Sequence, residues 1–392
     1  MCYIYNMKKS KMKLIDKPLL IMIILYSIIG VFAILSASSV TAVITYNVNP
    51  YYFFIKQILI LALSFIVGAV ILHIPTSNYK KLLPFIAGIV IVLLVYVLLR
   101  GKIVNSARSW INLGFIKFQP SEVAKLAVII LFGVYYGDIE KILKIKYSFA
   151  LPIIYALIAF GLIFLQPDLG TALILAFISI LVFFAVPFQN NKTVNYLKIF
   201  AGAFLVSAIV FVSSGVGTKL LNDMQTSRLT FKAPCTRYLE ETGYQVCNGF
   251  IAFHNGGLFG KGIGKSTQKY LYLPESHTDF IFPIIVEEIG LIGGIAIILG
   301  FLFILYRILL IAKNATNLRN SIIAYGCASY LLVHLLINFA GILALIPMTG
   351  TPVPFLSYGG TFTLSLISAM MLVLRISIEN NQDKEKRELK SI

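Results

Sequence analysis

The sequence predicts an all-α membrane protein, a polytopic bundle of about ten transmembrane helices with one large extracellular loop. Three observations lead there. Of 392 residues, 58% are hydrophobic and 12% charged, whereas soluble domains sit nearer a quarter charged. Apolar stretches of about 20 residues, the length that crosses a hydrocarbon core as a helix, recur along most of the chain. The connections between them alternate between many and few basic residues, as the positive-inside rule requires.

In order, the spans read as 18–38, 52–72, 83–100, 120–136, 149–166, 170–187, 196–214, 281–306, 321–346 and 357–378. An even count puts both termini on one side. On that side five Lys and Arg precede the first span, five lie from Arg375 onward and ten lie between, counting Lys198 at the start of the seventh span; the short loops opposite hold three, Lys102, Arg108 and Lys117. Both termini are therefore expected in the cytoplasm. The net charge of +17 is mostly an orientation signal. Its basic residues are scattered rather than gathered on one face, which argues against nucleic-acid binding. The first span follows KKSKMK, as a signal-peptide core would, but its apolar run is longer than such cores, which favours a retained helix. The organisation expected is a cytoplasmic tail over 1–17, one membrane domain over 18–378 and a cytoplasmic tail over 379–392, with no low-complexity tract or internal repeat.

The one long connection, 215–280, falls outside the cell by alternate counting. A loop of that length is usually functional or disordered, and its short apolar runs favour partly helical and functional. It contains Cys235 and Cys247, which the compartment allows to pair; two unpaired small residues is the other reading. Its glycine cluster GGLFGKGIGKS resembles a phosphate loop only superficially, because Phe259 stands where that pattern needs Gly. The cluster reads as a mobile segment offering Lys261, Lys265 and Lys269 to an anionic lipid head group, or as a plain flexible loop.

Four polar groups call for more than structural explanations. Trp110, the one tryptophan, and Arg108 beside it suit a membrane interface. Pro120 and Glu122 suit the first turn of a helix, but Lys125 lies inside the span on Glu122's face. Charges are costly in a bilayer, so a pair there usually lines a polar cavity. Asp168, in QPDLGT, is an ordinary turn residue or a member of the same site. In LPESHTDFIF, Ser276 and Asp279 have capping-box spacing, yet a cap needs one polar side chain and here Glu275, His277, Thr278 and Asp279 crowd together. Glu287 and Glu288 follow inside the apolar span.

These residues together resemble the SEDS family (shape, elongation, division and sporulation), the peptidoglycan glycosyltransferases FtsW, RodA and SpoVE. The matching blocks are RSWINLGFIKFQPSEVAKL, QPDLGTA, GYQVCNGFIAFHNGGLFGKGIGKSTQKYLYLPESHTDFIFPIIVEEIGLIGG and NFAGILALIPMTGTPVPFLSYGG. The form of the long block is closer to the FtsW and SpoVE branch. The resemblance implies a multi-pass protein of a bacterial plasma membrane that polymerises lipid II, the undecaprenyl-pyrophosphate-linked disaccharide peptide, beside a class B penicillin-binding protein transpeptidase and membrane lipids. It implies Asp279 as the essential acid, Glu122 and Lys125 as the cavity pair, Asp168 as the acid of its turn, and Arg108 and Trp110 as sensitive positions. The chain departs from the family after SYGG, where Thr361 and Phe362 replace small hydroxyl residues, and in its cysteine pair.

The chemistry implied is attack of a sugar hydroxyl on the donor's anomeric carbon, with Asp279 as general base. By analogy with inverting glycosidases, one displacement turns an α-linked donor into a β-linked product. Arg108, Lys125, the loop lysines and a divalent cation (Mg2+ or Mn2+) are all able to neutralise the departing pyrophosphate. No ligand spacing specifies a metal site, so no cofactor is certain and a catalytic divalent cation stays open. Two rival readings are a lipid II flippase or other transporter, and a non-catalytic scaffold for a transpeptidase.

Overall fold

A computed structural model describes residues 14–104, 107–112, 114, 117–139, 142, 148–188, 195–196, 198–199, 202–203, 232–274 and 276–390. Ten α-helices are described: α1 (Lys17–Ile44), α2 (Tyr52–His73), α3 (Tyr79–Arg100), α4 (Pro120–Tyr136), α5 (Leu151–Phe164), α6 (Leu169–Ala185), α7 (Glu241–Gly256), α8 (Ile281–Lys313), α9 (Leu318–Ile342) and α10 (Thr361–Lys390). Nine coincide with expected spans, and α7 lies in the long loop. Most of the seventh expected span, 196–214, and Glu275 fall outside the described residues. Six helices, α1, α2, α3, α8, α9 and α10, are long and apolar enough to cross a membrane.

Local chemistry sets the starts. Asp16 accepts from the Leu19 amide at 2.9 Å and, with Pro18 in the first turn, opens α1. Asp168 caps α6 by accepting from the Thr171 amide, and Asn317 caps α9 by accepting from the Asn320 amide. Each side-chain oxygen satisfies a donor that the first helical turn leaves unpaired.

Packing places α9 and α10 at the centre. α9 lies against α4, α6, α8 and α10, while α2 packs along α10. Long apolar rows on α1, α2, α3 and α5 remain exposed, as lipid-facing helices require. α10 continues as helix past the expected span end at 378, through to Lys390. The extension begins at an anchored point: Glu379 accepts from the Thr76 amide and hydroxyl, Asn320 and Arg375.

Three features add to this: two that were not foreseen and, second in order, one open reading that the structure decides. The connection between α3 and α4 folds into a small antiparallel sheet, β1 (Lys102–Val104), β2 (Ala107–Asn112) and β3 (Lys117–Phe118), in the order β1-β2-β3. Cys235 and Cys247 are disulfide-bonded, which ties the turn Pro234–Arg237 to α7. The third is a break in α8 at Gly290, where φ is 78° and ψ 173°. That conformation suits glycine, and a Cβ there would stand 2.3 Å from the Leu258 carbonyl oxygen.

The break explains the glycine cluster. It frees the Glu287 and Glu288 carbonyls and the Leu291 and Ile292 amides from helical pairing. The loop satisfies all four: the Lys261 and Gly262 amides donate to Glu287 and Glu288, and Leu291 and Ile292 donate to Gly257 and Leu258. The segment read as mobile is therefore docked along α8. Two of its lysines are also committed, Lys261 to Glu287 at 3.1 Å and Lys269 to Glu288 at 3.4 Å, because buried carboxylates need counter-charges.

Candidate active site

Asp279 does not cap α8. The helix starts at Ile281 with Phe280 at the N-cap and no side-chain bond, and the Ser276 hydroxyl donates instead to the Ala37 carbonyl on α1. The capping-box spacing is thus coincidental. What fixes Asp279 is its backbone. Three consecutive carbonyls, those of His277, Thr278 and Asp279, accept from the Tyr358 amide at 2.9 Å, the Ser357 hydroxyl at 2.5 Å and the Asn338 side-chain amide at 2.9 Å. Asn338 also donates to the Thr351 carbonyl at 2.6 Å, so one residue of α9 clamps the 277–279 turn to the strap that precedes α10.

The Asp279 carboxylate is buried and accepts from the Thr278 hydroxyl at 3.2 Å. Room beside it is left by Gly350, which has φ +67 and where a Cβ would stand 3.9 Å from Asp279 Oδ2. The adjacent Thr349 approaches Gly170, whose Cβ would lie 3.2 Å from the Thr349 carbonyl oxygen. Through that contact the QPDLGT turn reaches the strap. Asp168 accepts from the Gln119 side-chain amide at 3.1 Å, the Arg108 amide donates to the Gln166 carbonyl at 3.0 Å, and Trp110 lies half-buried on the same strand, β2. The structure thus brings the Arg108–Trp110 strand, Asp168 and Asp279 to one end of the bundle. Asp168 takes both of its readings at once, cap and neighbour of the site.

Deeper in the bundle, Lys125 and Glu122 form an ion pair of 2.7 Å in which Lys125 is 0% exposed. Two further partners, absent from the sequence reading, complete it: Lys125 Nζ lies 3.1 Å from His334 Nε2, and the Tyr330 hydroxyl donates to Glu122 at 3.3 Å. Tyr330, His334 and Asn338 recur every fourth residue on α9, so one helix face runs from the buried pair to the Asp279 turn. An ionisable His inside a span was the signal available for His334. Phe362 closes this group, its ring 4.8 Å from that of His334, and Thr361 accepts from the Gln119 amide at 2.9 Å. Of the two residues that depart from the family pattern after SYGG, Phe362 thus lies against His334 and Tyr330, and Thr361 against the residue that precedes α4.

His277 packs its ring 4.6 Å from Phe53. Burial pushes its pKa down from 6.5 to about 4, so the folded ring is neutral where an unfolded one takes up a proton. The stability this contributes is present above pH 6.5 and is lost as pH falls from 6.5 to about 4. The expected loss is on the order of 3 kcal/mol. Thermal unfolding in detergent should show it, and His277→Phe should flatten that window; an equally steep fall in the variant would assign the effect to other groups.

Lys265 is exposed and, like Arg108, has no carboxylate partner among the described residues, unlike Lys125, Lys261 and Lys269. Among the described residues no three His, Cys, Asp or Glu side chains gather as a metal cage. Thr278, on the Asp279 turn, keeps its sequence-predicted place in the site.

Comparison with known proteins finds relatives over nearly the whole chain. The family model for FtsW, RodA and SpoVE, described as cell cycle protein, matches residues 16–382. A probable peptidoglycan glycosyltransferase FtsW of Bacillus subtilis (strain 168) is 33% identical over 97% of this chain and 96% of its own. The stage V sporulation protein E of the same organism is 34% identical over 92% of this chain and 96% of its own. A chain of the solved structure described as "Structural coordination of polymerization and crosslinking by a peptidoglycan synthase complex" superposes with a TM-score of 0.72 at 22% identity, covering 93% of this chain and 98% of that one. That likeness establishes the fold.

Proposed function

This chain belongs to the FtsW, RodA and SpoVE family of cell cycle proteins, and we propose from that premise that it is a peptidoglycan glycosyltransferase polymerising lipid II for cell division or sporulation. It is a bacterial membrane protein. Both termini lie in the cytoplasm by the charge bias of its loops, which puts the Asp279 end of the bundle at the outer face. The membrane domain spans 18–378, with 215–280 as its large external loop.

The observation that carries the reading is the clamping of Asp279 through three successive backbone carbonyls beside the space at Gly350. A general base acts best when its position is fixed before substrate arrives. In the reaction a sugar hydroxyl of one lipid II gives its proton to Asp279 as its oxygen bonds to the anomeric carbon of another. The bond from that carbon to the pyrophosphate oxygen breaks, and the lipid pyrophosphate leaves with its electrons. Direct displacement inverts the anomeric centre. Arg108 and Lys265, without carboxylate partners among the described residues, are the protein groups best able to meet the leaving group's charge; a divalent cation, if one were bound with the pyrophosphate, would supply the same neutralisation. Glu122, Lys125, Asp168 and Trp110 shape the cavity behind the base. A class B penicillin-binding protein transpeptidase is the proposed partner, consistent with the synthase complex whose chain shares this fold.

The test is purified protein with lipid II, with and without the transpeptidase, resolved as glycan chains on a gel. Polymer is expected. Lipid II translocation without polymer would favour the flippase, and neither product, with the transpeptidase stimulated, would favour the scaffold.

A further inference from the structure

The chain carries its own depth gauge. Near the cytoplasmic end, Asp16 at the start of α1 pairs with Arg307 of α8. At the other end the Ser36 hydroxyl of α1 donates to the Glu288 carboxylate of α8 at 2.5 Å. From Asp16 to Ser36 along one helix, and from Arg307 back to Glu288 along the other, each path measures about 30 Å at 1.5 Å per residue. That is the thickness of a hydrocarbon core. With the Asp16–Arg307 pair at the cytoplasmic boundary, the two helices, tied at both ends, together place Glu288 at the boundary between acyl chains and head groups on the Asp279 side.

The glycine-rich loop is pinned to that level by its four backbone bonds to residues 287–292 of α8. Its apolar side chains are not folded inward: Leu258 is 58%, Phe259 81% and Ile263 82% exposed. They adjoin the exposed Leu291 and Ile292 of α8, on the bilayer side of the boundary. The exposed Lys265, two residues past Ile263 and without a carboxylate partner among the described residues, borders these apolar side chains, the pattern of a segment lying in an interface with a cation among head groups.

We infer that Leu258, Phe259 and Ile263 insert into the lipid leaflet on the Asp279 side, making residues 257–265 a monotopic anchor. Its partner is the bilayer surface itself. The anchor is joined to Asp279 through the first turns of α8, so it holds the catalytic turn at a fixed height over the plane in which a lipid-linked substrate's phosphates lie. The insertion stands on depth and exposure alone, and its failure would leave the proposed chemistry untouched.

The experiment places an indole in the loop by Phe259→Trp, in full-length protein reconstituted into phosphatidylglycerol–phosphatidylcholine vesicles. Wild-type protein, whose single tryptophan is Trp110, supplies the background to subtract. Phosphatidylcholine brominated near the top of its acyl chains should quench the added emission more than lipid brominated near the chain ends, and aqueous iodide should quench it weakly. Strong iodide quenching with no effect of either brominated lipid would overturn the inference by placing the loop in water. Shielding from both quenchers would overturn it in favour of a protein contact.

Discussion

Asp279→Asn is expected to abolish glycan polymerisation while leaving the protein folded in the membrane. Asn has the shape of Asp and keeps an oxygen to accept the Thr278 hydroxyl now 3.2 Å away. The turn's position does not depend on the carboxylate, because its three carbonyls are held by Tyr358, Ser357 and Asn338. What the variant loses is the ability to take a proton. Loss of a positioned general base typically costs about 100- to 10,000-fold in rate. Lipid II turnover on gels should fall by that range with an unchanged unfolding temperature. Activity within a few-fold of wild type would remove Asp279 from the role of base, and a collapsed unfolding temperature would recast it as structural.

Lys125→Ala has the second large effect, and it falls on stability as well as activity. Among the described residues Glu122 would keep the Tyr330 hydroxyl at 3.3 Å and lose its counter-charge, while its side chain stays almost wholly buried. Removing one member of a buried pair costs about 3–5 kcal/mol, because the remaining charge is left desolvated. The double variant Glu122→Gln, Lys125→Met removes both charges and should recover most of that stability while remaining inactive. Recovery of polymerisation together with stability would mean that the pair only packs the bundle; failure of the double variant to recover stability would mean that His334 and Tyr330 depend on the charges themselves.

The parts legible in the sequence were those governed by local rules. Spans followed from runs of apolar residues, since each backbone polar group in a bilayer must be satisfied within its own helix. Lys125 announced itself by being charged where charge is costly, and its spacing from Glu122 named its partner. Asp279 was found by the crowding of polar residues before α8, although the cap that seemed to explain part of that crowding was not formed. In the glycine cluster the same local logic failed. Read alone, it is flexible; only the break at Gly290, remote in sequence, offers the two amides and two carbonyls that dock it.

His334, Asn338, Ser357 and Tyr358 were missed as individuals for the same reason, because each acts through a partner far along the chain. The sequence by itself determined that this is a many-helix membrane protein, where nine of its helices lie and which acid to suspect. Tertiary structure alone decided what holds that acid, which lysines are already neutralised and where the glycine-rich loop docks on α8. Helices and charge costs are set within a few residues, whereas the bonds that fix the Asp279 turn join α9, the strap before α10 and the approach to α8, and exist only once the bundle has closed.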